Sequence, residues 1–411
     1  MNFPLFIARR YLIAKKSHNA INIISIISVI GVGIGTMALI VILSVFNGFD
    51  QLVQSLYNSF YPDLKITATE GKVFFLDTIQ AGKLKEIKGV SFVSQVVEEN
   101  ALLRYGERQH IATIKGVDEN YKMVTGLDTM IMDGDFILQK DERDFAIVGQ
   151  GVAYYLAIGL NFINPIVIYV PKRTGRMTLN PAQAFNKDYI FPSGIFSIEQ
   201  EIETKYVIVP IGFARDLFDY KNQVSSLEIS LEDDANEKEI KKAITGILGD
   251  GYDLKNRYEQ NEMFYKIMKS EKWAIFFILT FILIVASFNI VGSLTMLILD
   301  KKRDIHTFLS MGLSMQKLRK IFMIEGFLIT SAGTVSGLLI GFIIAWVQQT
   351  FGIIKLQGSG SFVIDEYPVV IEFTDFVAVL FIVTAIGFFT AWYPTRFVTR
   401  RYFSEMRKRN I

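Results

Sequence analysis

The chain has 411 residues, with 43 Lys and Arg against 41 Asp and Glu, a net charge of +2 and no cysteine. Disulfides, thiol chemistry and cysteine metal sites are thereby excluded, and the balanced charge carries no nucleic-acid footprint. Apolar residues make up 51% of the chain, and many are gathered into long uncharged runs.

Residues 1–21 carry Arg9, Arg10, Lys15 and Lys16. Residues 22–49 have no charge until Asp50; about 20 apolar residues at 1.5 Å each span a hydrocarbon core of roughly 30 Å, so a first transmembrane helix is predicted. The run is too long for a signal peptide, and no A-x-A-like site follows it. Residues 50–271 are large enough for their own core and two subdomains. A second span, 272–299, is uncharged from Trp273 to Leu299 and stops at Asp300-Lys301-Lys302-Arg303. A loop (300–320), a third span (321–347, with Glu325 near its start), a loop (348–375), a fourth span (376–397) and a tail (398–411) complete the chain. Lys and Arg crowd the two ends and the 300–320 loop, which places these in the cytoplasm and 50–271 outside. The predicted fold class is integral membrane α-helical, four transmembrane helices, with a large α+β domain inserted between helices 1 and 2.

Within the outer domain, Leu64, Ile66 and Ala68 alternate with polar residues, as do Leu227, Ile229 and Leu231; both read as half-buried strands. Phe145–Val148, Gly149–Leu156 and Pro165–Val170 read as strand, helix, strand. The stripe Ile240, Ala243, Ile244, Ile247 and Leu248 predicts a packed helix. Pro171–Pro192 has neither period and carries Lys172, Arg173, Arg176, Pro181 and Lys187. A loop this long is either functional or merely mobile. Beyond Glu259 the helical pattern runs unbroken into the second span.

No GxxxxGK[ST] loop is present, so ATP hydrolysis is not expected of this chain. The three histidines, His18, His110 and His306, are far apart and not all on one side of the membrane, which argues against a metal site. Gly149-Gln150-Gly151 lacks the third glycine of a dinucleotide fingerprint, and there is no G-x-S-x-G elbow. Glu325 is the one ionisable candidate inside a span; snorkelling or capping is favoured over an ion path. Small-xxx-small spacing at Gly31 and Gly35, at Gly333, Gly337 and Gly341, and at Gly387 with Ala391 predicts close helix packing. Asn289 calls for a partner on another helix.

Ile305, Phe308 and Leu309 share one face of a predicted short helix that starts near Asp304 and is closed by Gly312, with Ser314 capping the next span. That face either lies on the bilayer or fits a groove of a soluble ATPase. Val45, Phe46 and Phe49, continued by Leu52 and Val53, extend the first apolar run outward. Phe264, Ile267 and Met268 precede Trp273, Phe276 and Phe277 and do the same for the second. Such surface suits acyl chains, contact with a second permease, or packing beneath the outer domain.

FIARRYL (Phe6–Leu12), SVFNGF (Ser44–Phe49), FNIVGSLTMLILDKKRDI (Phe288–Ile305), Met311-Gly312 and Tyr393-Pro394-Thr395-Arg396 resemble the permease subunits of bacterial lipoprotein-releasing ABC transporters, the LolC/LolE type. IVGQGVAYYLAIGL (Ile147–Leu160) also resembles that family's outer domain. FtsX-like and MacB-like permeases share the wider arrangement. The resemblance implies a MacB-like periplasmic domain, a bacterial inner-membrane location and a dimer with a second permease subunit. It implies no cofactor on this chain, with ATP and Mg held by a cytoplasmic LolD-like ATPase that meets Asp304–Gly312. It further implies triacylated lipoproteins entering between the first and second spans, where the outward apolar runs offer Val45, Phe46, Phe49, Leu52, Val53, Phe264, Ile267, Met268 and Phe276 as the residues to hold acyl chains. A LolA-like periplasmic carrier would dock at Pro171–Pro192. HTFLSMGLS lacks the Leu-Arg pair that many relatives place before the glycine turn, and the docking arm has no close motif match. A MacB-like exporter of periplasmic cargo and an FtsX-like regulator of a cell-wall hydrolase are the alternatives.

Overall fold

Among the described residues, four helices are long and apolar enough to cross a bilayer: α1 (Asn19–Asn58), α2 (Glu262–Asp300), α4 (Met315–Phe351) and α5 (Phe373–Arg409), with the short α3 (Lys302–Ser310) between α2 and α4. The computed structural model describes residues 4–8, 19–75, 78–160, 164–173, 184–249, 251–355 and 366–409. It has two compact units, one of Met1–Leu52, Lys266–Gln357 and Ile364–Ile411, the other of Val53–Tyr265 and Gly358–Val363.

Each long helix overruns its predicted span, because helix-forming polar residues carry it past the point where the apolar run stops. Thus α1 ends at Asn58, not Phe49. The expected unbroken entry into the second span is interrupted. Asn256 and Glu259 form a capping box that starts a separate helix, Arg257–Gln260, and α2 begins after Asn261.

In the helical unit, Leu39, Ile40 and Leu43 of α1, Leu283, Ile290 and Leu294 of α2, and Val379, Val383 and Ala391 of α5 form the core. The small residues pack inside this chain. A Cβ on Gly337 would stand 2.5 Å from the Gly33 carbonyl oxygen and 2.7 Å from Thr36 Cβ. Gly333 meets Val29 and Val32, Gly341 meets Ile40, and Gly387 meets Thr330. Gly35 lies against Leu283, whereas Gly31 faces open space. Two expectations fail. Glu325 does not snorkel: it is buried at 1% exposure on the helix face that also carries Phe322 and Ile329. Asn289 is exposed, and among the described residues only its backbone carbonyl is used across helices, by Ser28 Oγ at 3.3 Å.

The other unit is built on β1 (Leu64–Ala68), β2 (Phe74–Phe75), β3 (Val90–Tyr105), β4 (Arg108–Val117), β5 (Ile131–Gly134), β6 (Gln139–Lys140), β7 (Arg143–Gly149), β8 (Ile166–Pro171), β9 (Phe185–Phe196), β10 (Tyr206–Pro210), β11 (Gln223–Val224), β12 (Ser226–Leu231) and β13 (Tyr252–Asn256). Eleven of them make one mixed sheet, ordered β13-β1-β12-β3-β4-β10-β7-β9-β5, with β6 on β7 and β8 bridging β3 and β9. The expected pair of subdomains is therefore one continuous sheet. Strand, helix, strand over 143–171 and the helix Glu237–Leu248 stand where the sequence pattern puts them. β12 differs from expectation: its polar side is buried too, with Glu228 fully enclosed, because β1 and β3 flank it and a lysine of β4 meets it.

Candidate functional site

The SVFNGF motif on α1 gathers the outer end of the helical unit. Ser44 offers its carbonyl to the Val370 amide at 2.9 Å. Asn47, 4% exposed, donates from Nδ2 to Asp375 Oδ2 at 2.7 Å, and its Oδ1 accepts from Lys272 Nζ at 2.8 Å. Lys272 also stands 3.3 Å from Glu372 and 3.6 Å from Asp375. Gly48 is required by close approach: a Cβ there would lie 2.4 Å from the Pro368 carbonyl. Phe49 meets the Tyr367 ring edge-on at 5.1 Å. The motif is thus a set of joints between α1, the root of α2, the strap before α5 and α5 itself.

These joints revise the acyl-chain candidates. Phe49 is committed to Tyr367, and Phe276 packs on the bundle core. Phe264 stacks on Tyr57 at 4.5 Å. Val45, Phe46, Leu52, Val53 and Met268 are half-buried, and only Ile267 of the nine is an exposed apolar residue. The open apolar face of α2 lies further along the span, at Trp273, Phe277, Ile278, Phe281 and Phe288. The sequence pattern missed this face because a span rich in Phe and Ile looks alike all round.

The α3 helix forms as predicted, and Gly312 closes it at φ +87°. Its apolar face, however, turns onto the chain's own helices. Ile305 is buried against Leu297, Ile298, Leu318 and Phe322, with Phe308 and Leu309 half-buried beside it. An amphipathic stripe cannot say which neighbour covers it, and here α2 and α4 do. Asp304 is half-buried, and outward stand Lys302, Arg303, His306, Thr307, Met311 and Gly312. Ser314 occupies the N-cap position of α4 with no side-chain capping bond.

The Pro171–Pro192 segment is not one long loop. Among its described residues, Pro171 ends β8, 185–192 lie in β9, which pairs with β8, and the Lys172 amide donates to the Ala184 carbonyl; 174–183 lie outside the described residues. Pro192 is buried in β9 opposite Ala146 and cannot be a docking residue. Arg173 pairs with Glu99 and lies 4.2 Å over the Tyr220 ring, so its charge is engaged at the hairpin base. Lys172 is exposed; Arg176 and Pro181 lie outside the described residues.

A buried charge cluster was not anticipated. Lys115 Nζ lies 2.8 Å from Glu228 Oε1 and 3.4 Å from Glu98, and Lys65 lies 3.5 Å from each of the two carboxylates. Burial opposes the lysine charge, but Glu228, Tyr121 and Glu98 outweigh it and hold the Lys115 pKa well above the ordinary lysine value. Burial likewise opposes ionisation of Glu98, yet Lys65 and Lys115 hold it down at about 2. The ammonium also sits over Phe60, 4.7 Å from the ring centre. Strand alternation marked Lys65 and Glu228 as solvent-facing, and pairing across four strands is invisible in any one of them.

Comparison with known proteins agrees with this architecture. The MacB-like periplasmic core domain model matches residues 25–247, and the FtsX-like permease C-terminal model matches residues 276–403. The lipoprotein-releasing system transmembrane protein LolC of Neisseria meningitidis is 28% identical over 405 residues, covering 95% of each chain. LolE of Haemophilus influenzae is 23% identical over 416 residues, covering 96% of each. The periplasmic region of MacB from Actinobacillus actinomycetemcomitans has a TM-score of 0.38 at 14% identity, over 51% of this chain and 94% of that one. With four membrane-length helices and relatives of this kind the chain is an inner-membrane protein. It belongs to the MacB-like, FtsX-like permease family.

Proposed function

We propose that this chain is a membrane subunit of a lipoprotein-releasing ABC transporter. The observation that supports it most is end-to-end correspondence with LolC and LolE proteins across both family segments. The chain itself hydrolyses nothing; a separate cytoplasmic LolD-like ATPase, with ATP and Mg, docks on α3 and the Met311-Gly312 turn. A second permease subunit completes the membrane part, and the termini are cytoplasmic.

Removing an acyl chain from a bilayer costs about 0.8 kcal/mol per CH₂, so a lipoprotein does not leave unaided. The open face of α2, with Ile267 and the half-buried Val45, Phe46 and Met268, supplies apolar surface to hold the chains. The β8–β9 hairpin, through Lys172 and the residues beyond Arg173, presents the carrier's docking arm.

The test is to purify the complex from native membranes, identify what co-elutes, and follow ATP-dependent release of lipoprotein to added periplasmic carrier. Co-elution of an ATPase and lipoprotein, with release on ATP, is the expected result. Co-elution with a cell-wall hydrolase or an outer-membrane channel, without release, would replace this reading with the regulator or the exporter.

A further inference from the structure

The seam between α1 and α2 is joined differently along its length. Towards one end, Ser25 and Ser293 hydroxyls lie 3.4 Å apart and Ser28 reaches the Asn289 carbonyl. Midway, Gly35 receives Leu283 with no polar bond in the contact. At the outer end stands the Asn47–Lys272–Asp375 group. The two helices differ in how firmly they are held elsewhere. α1 is bound to α4 through Gly33, Gly333, Gly337 and Gly341 at backbone distance, and to the strap through Ser44 and Gly48. Such contacts have no slack, since any separation opens a void along two helices. α2 turns Trp273, Phe277, Ile278 and Phe281 outward. At its outer end Lys272, on a flexible four-carbon stem, ties it to Asn47, Glu372 and Asp375.

We propose that Asn47, Lys272 and Asp375 form a latch, closed in this structure, whose release lets the outer half of α2 swing from α1 so that an acyl chain passes between them. This rests on the transport reading above. The chemistry suits a joint that opens and closes. Lys272 is one-third exposed, Glu372 is more open, and a partly hydrated ion pair is weak enough to break within a working cycle. Asn47 is the fixed element: buried, it donates to Asp375 and accepts from Lys272, so it orients both charges at once. When Lys272 leaves, Asn47 and Asp375 remain bonded to each other. The break therefore falls on the α2 side alone.

The absence of cysteine allows a clean trap. Cysteines at Asn47 and Lys272 are bridged by a short bifunctional methanethiosulfonate in the assembled complex, then freed with reductant. Bridged complex should retain its ATPase partner, lose lipoprotein release at least tenfold, and recover on reduction. Bridging yield should fall several-fold in the vanadate-trapped complex, in which the ATPase holds ADP and vanadate, a readout needing no substrate. In parallel, Lys272→Met should raise substrate-free ATP turnover several-fold. Lys272→Arg, which keeps the charge, should leave it near wild type. Release at the unbridged rate in the bridged complex, or a bridging yield indifferent to nucleotide, overturns the latch. If even the unbridged complex releases no lipoprotein, the transport reading fails, and the nucleotide dependence of bridging still decides whether the latch opens.

Discussion

Lys115 on β4 and Glu228 on β12 face each other 2.8 Å apart across the intervening β3, with 2% and 0% of their side chains exposed. Removing Lys115 leaves Glu228 only the more exposed Lys65, 3.5 Å away, and breaking a buried pair typically costs about 3–5 kcal/mol. Lys115→Met should therefore destabilise the sheet unit by roughly that amount, whereas Lys115→Met with Glu228→Leu should recover most of it. Thermal unfolding of the full chain, with hydrogen exchange on β3, β4 and β12, reads both variants; equal damage from single and double changes would argue against the pair.

The same cluster sets an acid limb. Glu98 titrates at about 2 in the fold against 4.5 for the ordinary group. A carboxyl depressed by folding stabilises fully above the unfolded value and loses that contribution as pH falls through the folded one. Stability of the sheet unit should thus decline from about pH 5 towards 2, by an amount on the order of 2–3 kcal/mol, and Glu98→Gln should flatten this limb. Unfolding midpoints at stepped pH provide the measurement.

For α3 the two faces separate two effects. Ile305→Ala should loosen the helix from its socket of Leu297, Leu318 and Phe322, at a cost of about 2–5 kcal/mol. It should show as faster amide exchange in Lys302–Ser310. Met311→Glu, at a residue 78% exposed, should leave the fold unchanged while weakening ATPase co-purification. Retention of the ATPase with Met311→Glu, and loss with Phe308→Glu alone, would mean that the docking face includes the half-buried side.

Glycines on α1 and α4 should respond unequally to bulk. Gly337→Leu would drive a side chain into Gly33 and Thr36 and should cost at least about 1–3 kcal/mol, read as loss of folded protein in membranes and a lower aggregation temperature. Gly31→Ala meets nothing within 4 Å and should be silent by the same measures.

These contrasts show where the sequence was legible. The spans rest on the length of uncharged runs and the helix at Glu237 on its apolar stripe, both local properties, and with the strand–helix–strand of 143–171 they stand where the pattern put them. What failed was partnership. Ile305 and a docking knob have the same pattern, and only the position of α2 and α4 separates them. Pro192 in β9 looked like loop because proline breaks the alternation, yet β9 pairs around it with a register shift on the β7 side. Glu228 and Lys115 lie 113 positions apart, beyond any window of pattern. SVFNGF stood out as a motif, but its joints to Lys272, Val370 and Asp375 needed the folded chain.

The place of β1 in the sheet bears on how the protein is made. β1 emerges directly after α1, yet both of its neighbours, β12 and β13, come from residues 226–256 near the far end of the insert. During synthesis and export it stays an open edge, apolar on one side at Leu64 and Ile66, until nearly the whole domain has crossed. Pairing at such sequence distance is slow, and an unpaired edge invites mispairing between neighbouring nascent chains. Maturation of this subunit should therefore be limited by delivery of β12. A truncation ending before Ser226 should aggregate in the envelope, whereas one ending just past Asn256 should have every strand it needs to close the sheet.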